Sequence, residues 1–289
     1  MPITDLLKAR ARDLGGGFTV RRLLPAAARQ SVGPFVFFDH FGPVVAYPRD
    51  SHDFRPHPHI GLATVTFLFE GAMLHRDSLG FVQRIEPGAI NWMTAGRGIV
   101  HSERRPPDLA ATTTTAHGLQ LWAALPQAFE EAEPSFVHTP AAAIPAWSDG
   151  DADIRLLVGD AFGRRSPVAT FAPTLYLDVV ARPGAALALP AFADGFERAV
   201  YGVDAPLVVD GDEVSPNVLA VLAPGAPARV GVPRGGRFVV IGGAPLDGPR
   251  FIWWNFVSSR RDRIERAKDD WTAQRMGAIP GETEWIPLP

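Results

Sequence analysis

Residues 62–69, Leu-Ala-Thr-Val-Thr-Phe-Leu-Phe, are a run of β-branched and aromatic side chains that stops at Glu70-Gly71. Runs of the same kind recur along the chain, at 18–20, 35–38, 81–85, 89–93 and 118–125, then at 154–159, 173–180, 185–189, 206–209, 218–222 and 237–241, with Gly and Pro between them. Short strands at close spacing, separated by turn residues, predict an all-β sandwich or barrel. Helical periodicity is nearly absent. Residues 1–13 are compatible with a short helix ended by Gly15-Gly16-Gly17. Residues 259–276 form the one good amphipathic helix, with Ile264, Ala267 and Trp271 on one face, Ser258 or Ser259 as its cap and Gly277 as its stop.

The stretch 126–147 is rich in Pro and Ala and lacks strand periodicity, so it marks a boundary between two domains, 1–135 and 136–289. The halves resemble each other. Phe69-Glu70-Gly71 leads to Glu86-Pro87-Gly88 in the first, and Val209-Asp210-Gly211 leads to Ala223-Pro224-Gly225 in the second. Every one of the eight histidines lies at or before His138. If the hairpin glycines are aligned, Glu197 and Ala199 stand where the first half has His57 and His59.

The absence of cysteine removes disulfides, thiolate zinc sites and thiol nucleophiles together. A formal net charge of −3, with basic residues scattered as isolated pairs such as Arg21-Arg22 and Arg260-Arg261, argues against a nucleic-acid-binding face. No apolar run approaches the length of a membrane span, and the N-terminus lacks the apolar core of a signal peptide, so a cytoplasmic protein is expected. Asp210-Gly211-Asp212-Glu213 lacks the ligand alternation of a calcium loop. Nothing matches a phosphate-binding or dinucleotide-binding glycine motif.

Two pairs carry the chemistry. In an extended strand alternate side chains share a face, so His57 and His59 in His57-Pro58-His59 point one way, as do His101 and Glu103 in His101-Ser102-Glu103. Hairpins that fold the pairs together bring three imidazoles and a carboxylate to one point, a donor set suited to Fe, Mn, Ni, Cu or Zn rather than Ca or Mg. A six-coordinate metal held this way keeps open positions, whereas a four-coordinate zinc would be closed and structural. The competing arrangement is a surface His pair and an unrelated buried His. His40 reads as a structural residue or a partner to a ligand; His52, His75, His117 and His138 read as lying outside the ligand set. Phe251 and Trp253-Trp254 read as packing ahead of the helix.

Three runs together resemble the pirins, two-barrel members of the cupin superfamily. They are Arg55-Pro56-His57-Pro58-His59-Ile60-Gly61, Trp92-Met93-Thr94-Ala95-Gly96-Arg97-Gly98-Ile99-Val100-His101-Ser102-Glu103, and Phe251-Ile252-Trp253-Trp254-Asn255-Phe256-Val257-Ser258-Ser259. The resemblance implies two antiparallel cupin β-barrels, a bicupin, with a short C-terminal helix. It also implies one mononuclear divalent metal, Fe(II) first and Mn, Ni, Cu or Zn as alternatives, bound by His57, His59, His101 and Glu103 in the N-terminal barrel, and a metal-free C-terminal barrel. The activity it implies is quercetin 2,3-dioxygenase-type ring opening of a flavonol, for which Glu103, besides ligating the metal, is given a second, catalytic role as general base. The alternative is a non-enzymatic, metal-dependent regulator that binds a transcription factor or metabolic enzyme. A monomer without nucleic-acid or membrane partners is expected.

Overall fold

The computed structural model describes residues 3–14, 18–48, 50 and 53–289; Gly15-Gly16-Gly17 and His52 lie outside the described residues. Strands dominate, and among the described residues the only α-helix is Arg261–Thr272. No helix among them is long and apolar enough to cross a membrane.

The chain divides into two compact units, one of Met1–Ala11, Arg21–Asp39 and Ala142–Pro245, the other of Arg12–Val20, His40–Ala141 and Leu246–Pro289. In the first, a seven-stranded sheet runs in the order Ile3–Lys8, Val218–Leu222, Glu197–Gly202, Gly236–Gly243, Thr174–Ala181, Ala152–Val158, Ala146–Asp149. A four-stranded sheet has the order Ala185–Leu189, Ala228–Val232, Leu207–Val209, Asp212–Val214. Alternate residues of both sheets, among them Leu177, Val200 and Phe238 from one and Leu187, Leu207 and Val230 from the other, meet in a single apolar core.

The same order recurs in the second set of sheets. Ser135–Thr139, Ile90–Thr94, Leu62–Glu70, Thr114–Ala124, Phe35–Ala46, Thr19–Leu24 and Arg10–Asp13 make the larger sheet. Phe54–His59, Ile99–Arg104, Met73–Asp77 and Val82–Ile85 make the smaller. The pairings that hold these sheets are antiparallel. The two-barrel, all-β fold expected from the sequence is therefore the fold observed.

Several local expectations are corrected. The described part of 1–13 is not helical: Ile3–Lys8 and Arg10–Asp13 are strands. Ile3–Lys8 pairs along Val218–Leu222 as the edge strand of the sheet, and that pairing overrides local propensity. Within 126–147, Ser135–Thr139 is an edge strand on Ile90–Thr94. The repeat is real but one hairpin out of step with the glycine alignment. Asp210-Gly211, both at positive φ, turns between the last two strands of the four-stranded sheet, Leu207–Val209 and Asp212–Val214, whereas Gly71 follows a strand of the larger sheet. By sheet position Phe54–His59 matches Ala185–Leu189, so Leu187 and Leu189, not Glu197 and Ala199, take the places of the paired histidines, and both face the apolar core.

The C-terminal helix buries Ile264, Ala267 and Trp271, as its periodicity predicted. It starts at Arg261 with no side-chain cap, because the Ser258 and Ser259 hydroxyls instead donate to Glu130 Oε2, each at 3.0 Å. It ends at Thr272, short of Gly277. Its apolar face packs with Phe256 on Ile60 and Val100, residues that point away from the neighbouring histidines on their own strands. The segment after the helix folds back: Ile286 N donates to Pro56 O at 2.8 Å, Ser102 Oγ donates to Glu282 Oε1 at 2.6 Å, and Arg104 Nε donates to Glu282 Oε2 at 3.1 Å. Trp271→Ala is expected to cost about 3–5 kcal/mol in urea unfolding, since a buried indole and its bond to Ile286 O are both lost. A loss below about 1 kcal/mol would mean that the helix adds nothing to the strands beneath it.

Candidate metal centre

Strand register brings the histidines together. His101 lies directly opposite His57 and Ile99 opposite His59 in the antiparallel pair. Both pairs alternate inward, and the ring centroids of His57 and His101 are 4.4 Å apart. The donor atoms of His57, His59 and His101 all fall within 4.8 Å of one another, and all three residues are buried. A β-bulge separates the His101 and Glu103 pairings, a distortion that re-aims side chains at functional sites.

Each ring has one nitrogen committed. His57 Nδ1 donates to Arg55 O at 2.8 Å, His59 Nδ1 donates to Asn255 O at 3.2 Å, and His101 Nδ1 lies 3.4 Å from His75 Nδ1. The free nitrogens then point inward, and His59 Nε2 and His101 Nε2 are 3.1 Å apart. With each Nδ1 protonated, two lone pairs face each other across that gap. Such an arrangement is repulsive unless a cation lies between them. Metal–nitrogen bonds of about 2.1 Å at right angles put two donors about 3.0 Å apart, so the spacing fits a shared metal.

Electrostatics agree. Burial pushes the His57 imidazole down to about 4, against the opposing pull of the Arg55 carbonyl. Burial, and then the neighbouring imidazoles, hold His59 and His101 well below the usual histidine range. Neutral imidazoles are the form that ligates a metal.

Glu103 is buried and shares its strand face with His101, yet its carboxylate stands outside the group that gathers the three rings. It accepts from the Thr66 hydroxyl at 3.1 Å, and burial raises its affinity for a proton. The Trp122 ring meets His59 edge-on with centroids 5.2 Å apart and walls the site. His40 Nε2 lies 2.7 Å from His117 Nε2. His138 Nδ1 lies 2.7 Å from Asn91 Oδ1. The sequence reading passed over His75, Asp77 and the Asn255 carbonyl. His75 has the same i, i+2 relation to Asp77 that His101 has to Glu103, a signal that was there to be read. The Asn255 carbonyl belongs to a turn whose Trp254 has φ +51°, which no side-chain pattern announces.

The Pirin family profile matches residues 17–123, and the profile for the pirin C-terminal cupin domain matches residues 176–277. A pirin-like protein of Caulobacter vibrioides is 46% identical, over 97% of this chain and 97% of its own. The chain belongs to the pirin family. Human pirin is 32% identical, covering 95% of this chain and 93% of its own. Among solved structures, a quercetin 2,3-dioxygenase from Acinetobacter baumannii superposes with a TM-score of 0.91 at 34% identity, covering 99% of this chain and 94% of the other. In this pirin the buried histidine triad is a candidate site for a divalent metal.

Proposed function

We propose that this pirin is an Fe(II)-dependent dioxygenase acting on quercetin-like flavonols, with Mn, Ni, Cu or Zn as alternative occupants of the same site. The observation that carries this reading is an all-imidazole donor set buried inside a β-barrel, with the Glu103 carboxylate held just off it by Thr66. Likeness to a solved quercetin 2,3-dioxygenase supports it.

His57, His59 and His101 would hold the metal, which would supply a Lewis-acidic point that eases loss of a proton from a flavonol hydroxyl. Glu103 completes the ligand set or, when released from it, takes that proton. Its raised proton affinity suits it to the second role. Trp122 excludes water beside the His59 ring. The three imidazoles stay neutral and orient the site without exchanging protons themselves.

The test is oxygen uptake by Fe(II)-loaded protein, prepared anaerobically, with quercetin and related flavonols. Glu103→Gln is expected to lower turnover by about 100-fold or more while lowering metal content far less, because general-base catalysis is worth about that much. His57→Ala should lower both together. No oxygen uptake by the fully loaded wild type would end the dioxygenase reading. It would favour the alternative of a metal-dependent binding partner for a transcription factor or metabolic enzyme.

A further inference from the structure

Behind His101 lies a buried chain of groups that no ligand role accounts for. Asp77 is fully buried, and its Oδ1 accepts from Leu79 N at 2.9 Å and Phe81 N at 3.1 Å. Those two bonds fix the carboxylate, so its Oδ2 faces His75 Nε2 at 2.8 Å. His75 is buried as well, and its ring is stacked on Phe136 with centroids 4.1 Å apart and planes at 10°. It cannot swing away. The strand pairing sets this alignment: Asp77 lies opposite His101, and His75 opposite Glu103.

We propose that Asp77 and His75 form a tautomer-setting relay that holds His101 with its Nε2 lone pair turned toward the metal. Asp77, whose carboxylate bonds to none of the three ligand rings, thereby governs metal affinity. The inference rests on the reading of His57, His59 and His101 as a metal centre.

A carboxylate only accepts hydrogen bonds, so the proton between Asp77 and His75 sits on His75 Nε2. With that proton alone on the ring, His75 Nδ1 is an acceptor. It faces His101 Nδ1 at 3.4 Å, so His101 carries its proton there and leaves Nε2 bare. His57 and His59 reach the same state by donating to backbone carbonyls, which cannot change character. His101 alone depends on side chains for its tautomer. Both relay members are positioning residues, and groups in that position commonly change metal affinity by about 10–100-fold when lost.

Asp77→Asn makes the test sharp because it preserves shape and reverses direction. The amide oxygen keeps the Leu79 and Phe81 N–H bonds, so the NH₂ group occupies the place of Oδ2 and donates to His75 Nε2. The His75 proton moves to Nδ1, and two N–H groups would then meet between the rings. His101 escapes by moving its proton to Nε2, where it blocks the metal. The same isosteric change at the aspartate of a serine-protease triad imposes the wrong histidine tautomer.

Two measurements are needed, on the full-length protein and its variants. One is Ni²⁺ affinity by competition with a chelator. The other is the protonation of the His101 ring nitrogens in metal-free protein, read by ¹⁵N NMR. Asp77→Asn is expected to weaken Ni²⁺ binding by about 10–100-fold and to move the His101 proton from Nδ1 to Nε2. His75→Asn puts an amide oxygen near the Nδ1 position and should keep affinity within a few-fold. His75→Gln puts its amide near the Nε2 position, leaves His101 Nδ1 without an acceptor, and should weaken binding like Asp77→Asn. Wild-type affinity in Asp77→Asn, an unmoved His101 proton, or equal affinities in the His75→Asn and His75→Gln variants would each overturn the relay. If the wild type binds no Ni²⁺ while the proton still moves in Asp77→Asn, the relay stands and the metal-centre reading fails.

Discussion

Alanine at His59 is expected to strip the protein of its metal while leaving it folded. The ring supplies one of three converging donors, and its loss also leaves the Asn255 carbonyl without its partner. Removing a group that merely supports a ligand commonly costs 10–100-fold in affinity, so deleting the ligand should cost about 100-fold or more. A 100-fold loss is about 2.7 kcal/mol of binding free energy. The stability cost to the metal-free protein should be smaller, about 1–3 kcal/mol for one unsatisfied buried carbonyl. Metal analysis after dialysis, with circular dichroism as the check on folding, reads both quantities. His138→Ala, which removes a ring bonded to Asn91 outside the triad, is the control and should keep its metal. Full occupancy in the His59 variant would take His59 out of the ligand set.

The second large effect is acid sensitivity of the metal-free protein. The folded state holds His57 down to about 4, against 6.5 for an unperturbed ring, so between those values the unfolded chain binds more protons than the folded one. Stability contributed by the neutral ring is therefore fully present above about pH 6.5 and is lost as the pH falls toward 4. The shift at His57 alone corresponds to about 3 kcal/mol, and His59 and His101 act with the same sign. Urea unfolding at a series of pH values between 7 and 4, with and without Ni²⁺, measures this. Metal should protect, because it competes with protons for the same nitrogens. An unfolding free energy that stays flat from pH 7 to pH 4 without metal would mean that the rings are not held neutral.

The His57-Pro58-His59 and His101-Ser102-Glu103 pairs were legible because strand alternation turns spacing into direction, and register then set His101 opposite His57. Most strands of both halves were legible for the same reason, although Phe35–Ala46 and Thr114–Ala124 run well beyond the runs read for them and Met73–Asp77 and Ala228–Val232 were not read. What failed was information carried by distant partners. The first residues became a strand because Val218–Leu222 offers an edge to pair with. Ser258 and Ser259 gave up capping because Glu130, far earlier in the chain, accepts their hydroxyls. The repeat was found but misaligned, because Glu70-Gly71 and Asp210-Gly211 look alike as turns while occupying different corners of the sheets. Glu103 was assigned to the point of convergence by alternation and by the resemblance to the pirins. Alternation gives a side, not a distance, and the bulge beside Glu103 and the hydroxyl of Thr66 determine where its carboxylate rests.

The bond from His59 to the Asn255 carbonyl joins residues 196 positions apart, and that from Ser102 to Glu282 spans 180. During synthesis the His59 imidazole leaves the ribosome well before the carbonyl that settles it, whereas Arg55 precedes His57 and His75 and Asp77 precede His101. Until Asn255 arrives, the His59 ring is free to offer either nitrogen, and an ion captured then is held by a loose chelate that favours whichever metal is most abundant and binds imidazole most strongly. Selectivity built on fixed ring orientation exists only in the finished chain. If the triad takes a metal, loading the apoprotein after folding is expected to give a different occupant from loading during translation, which metal analysis of the two preparations would read.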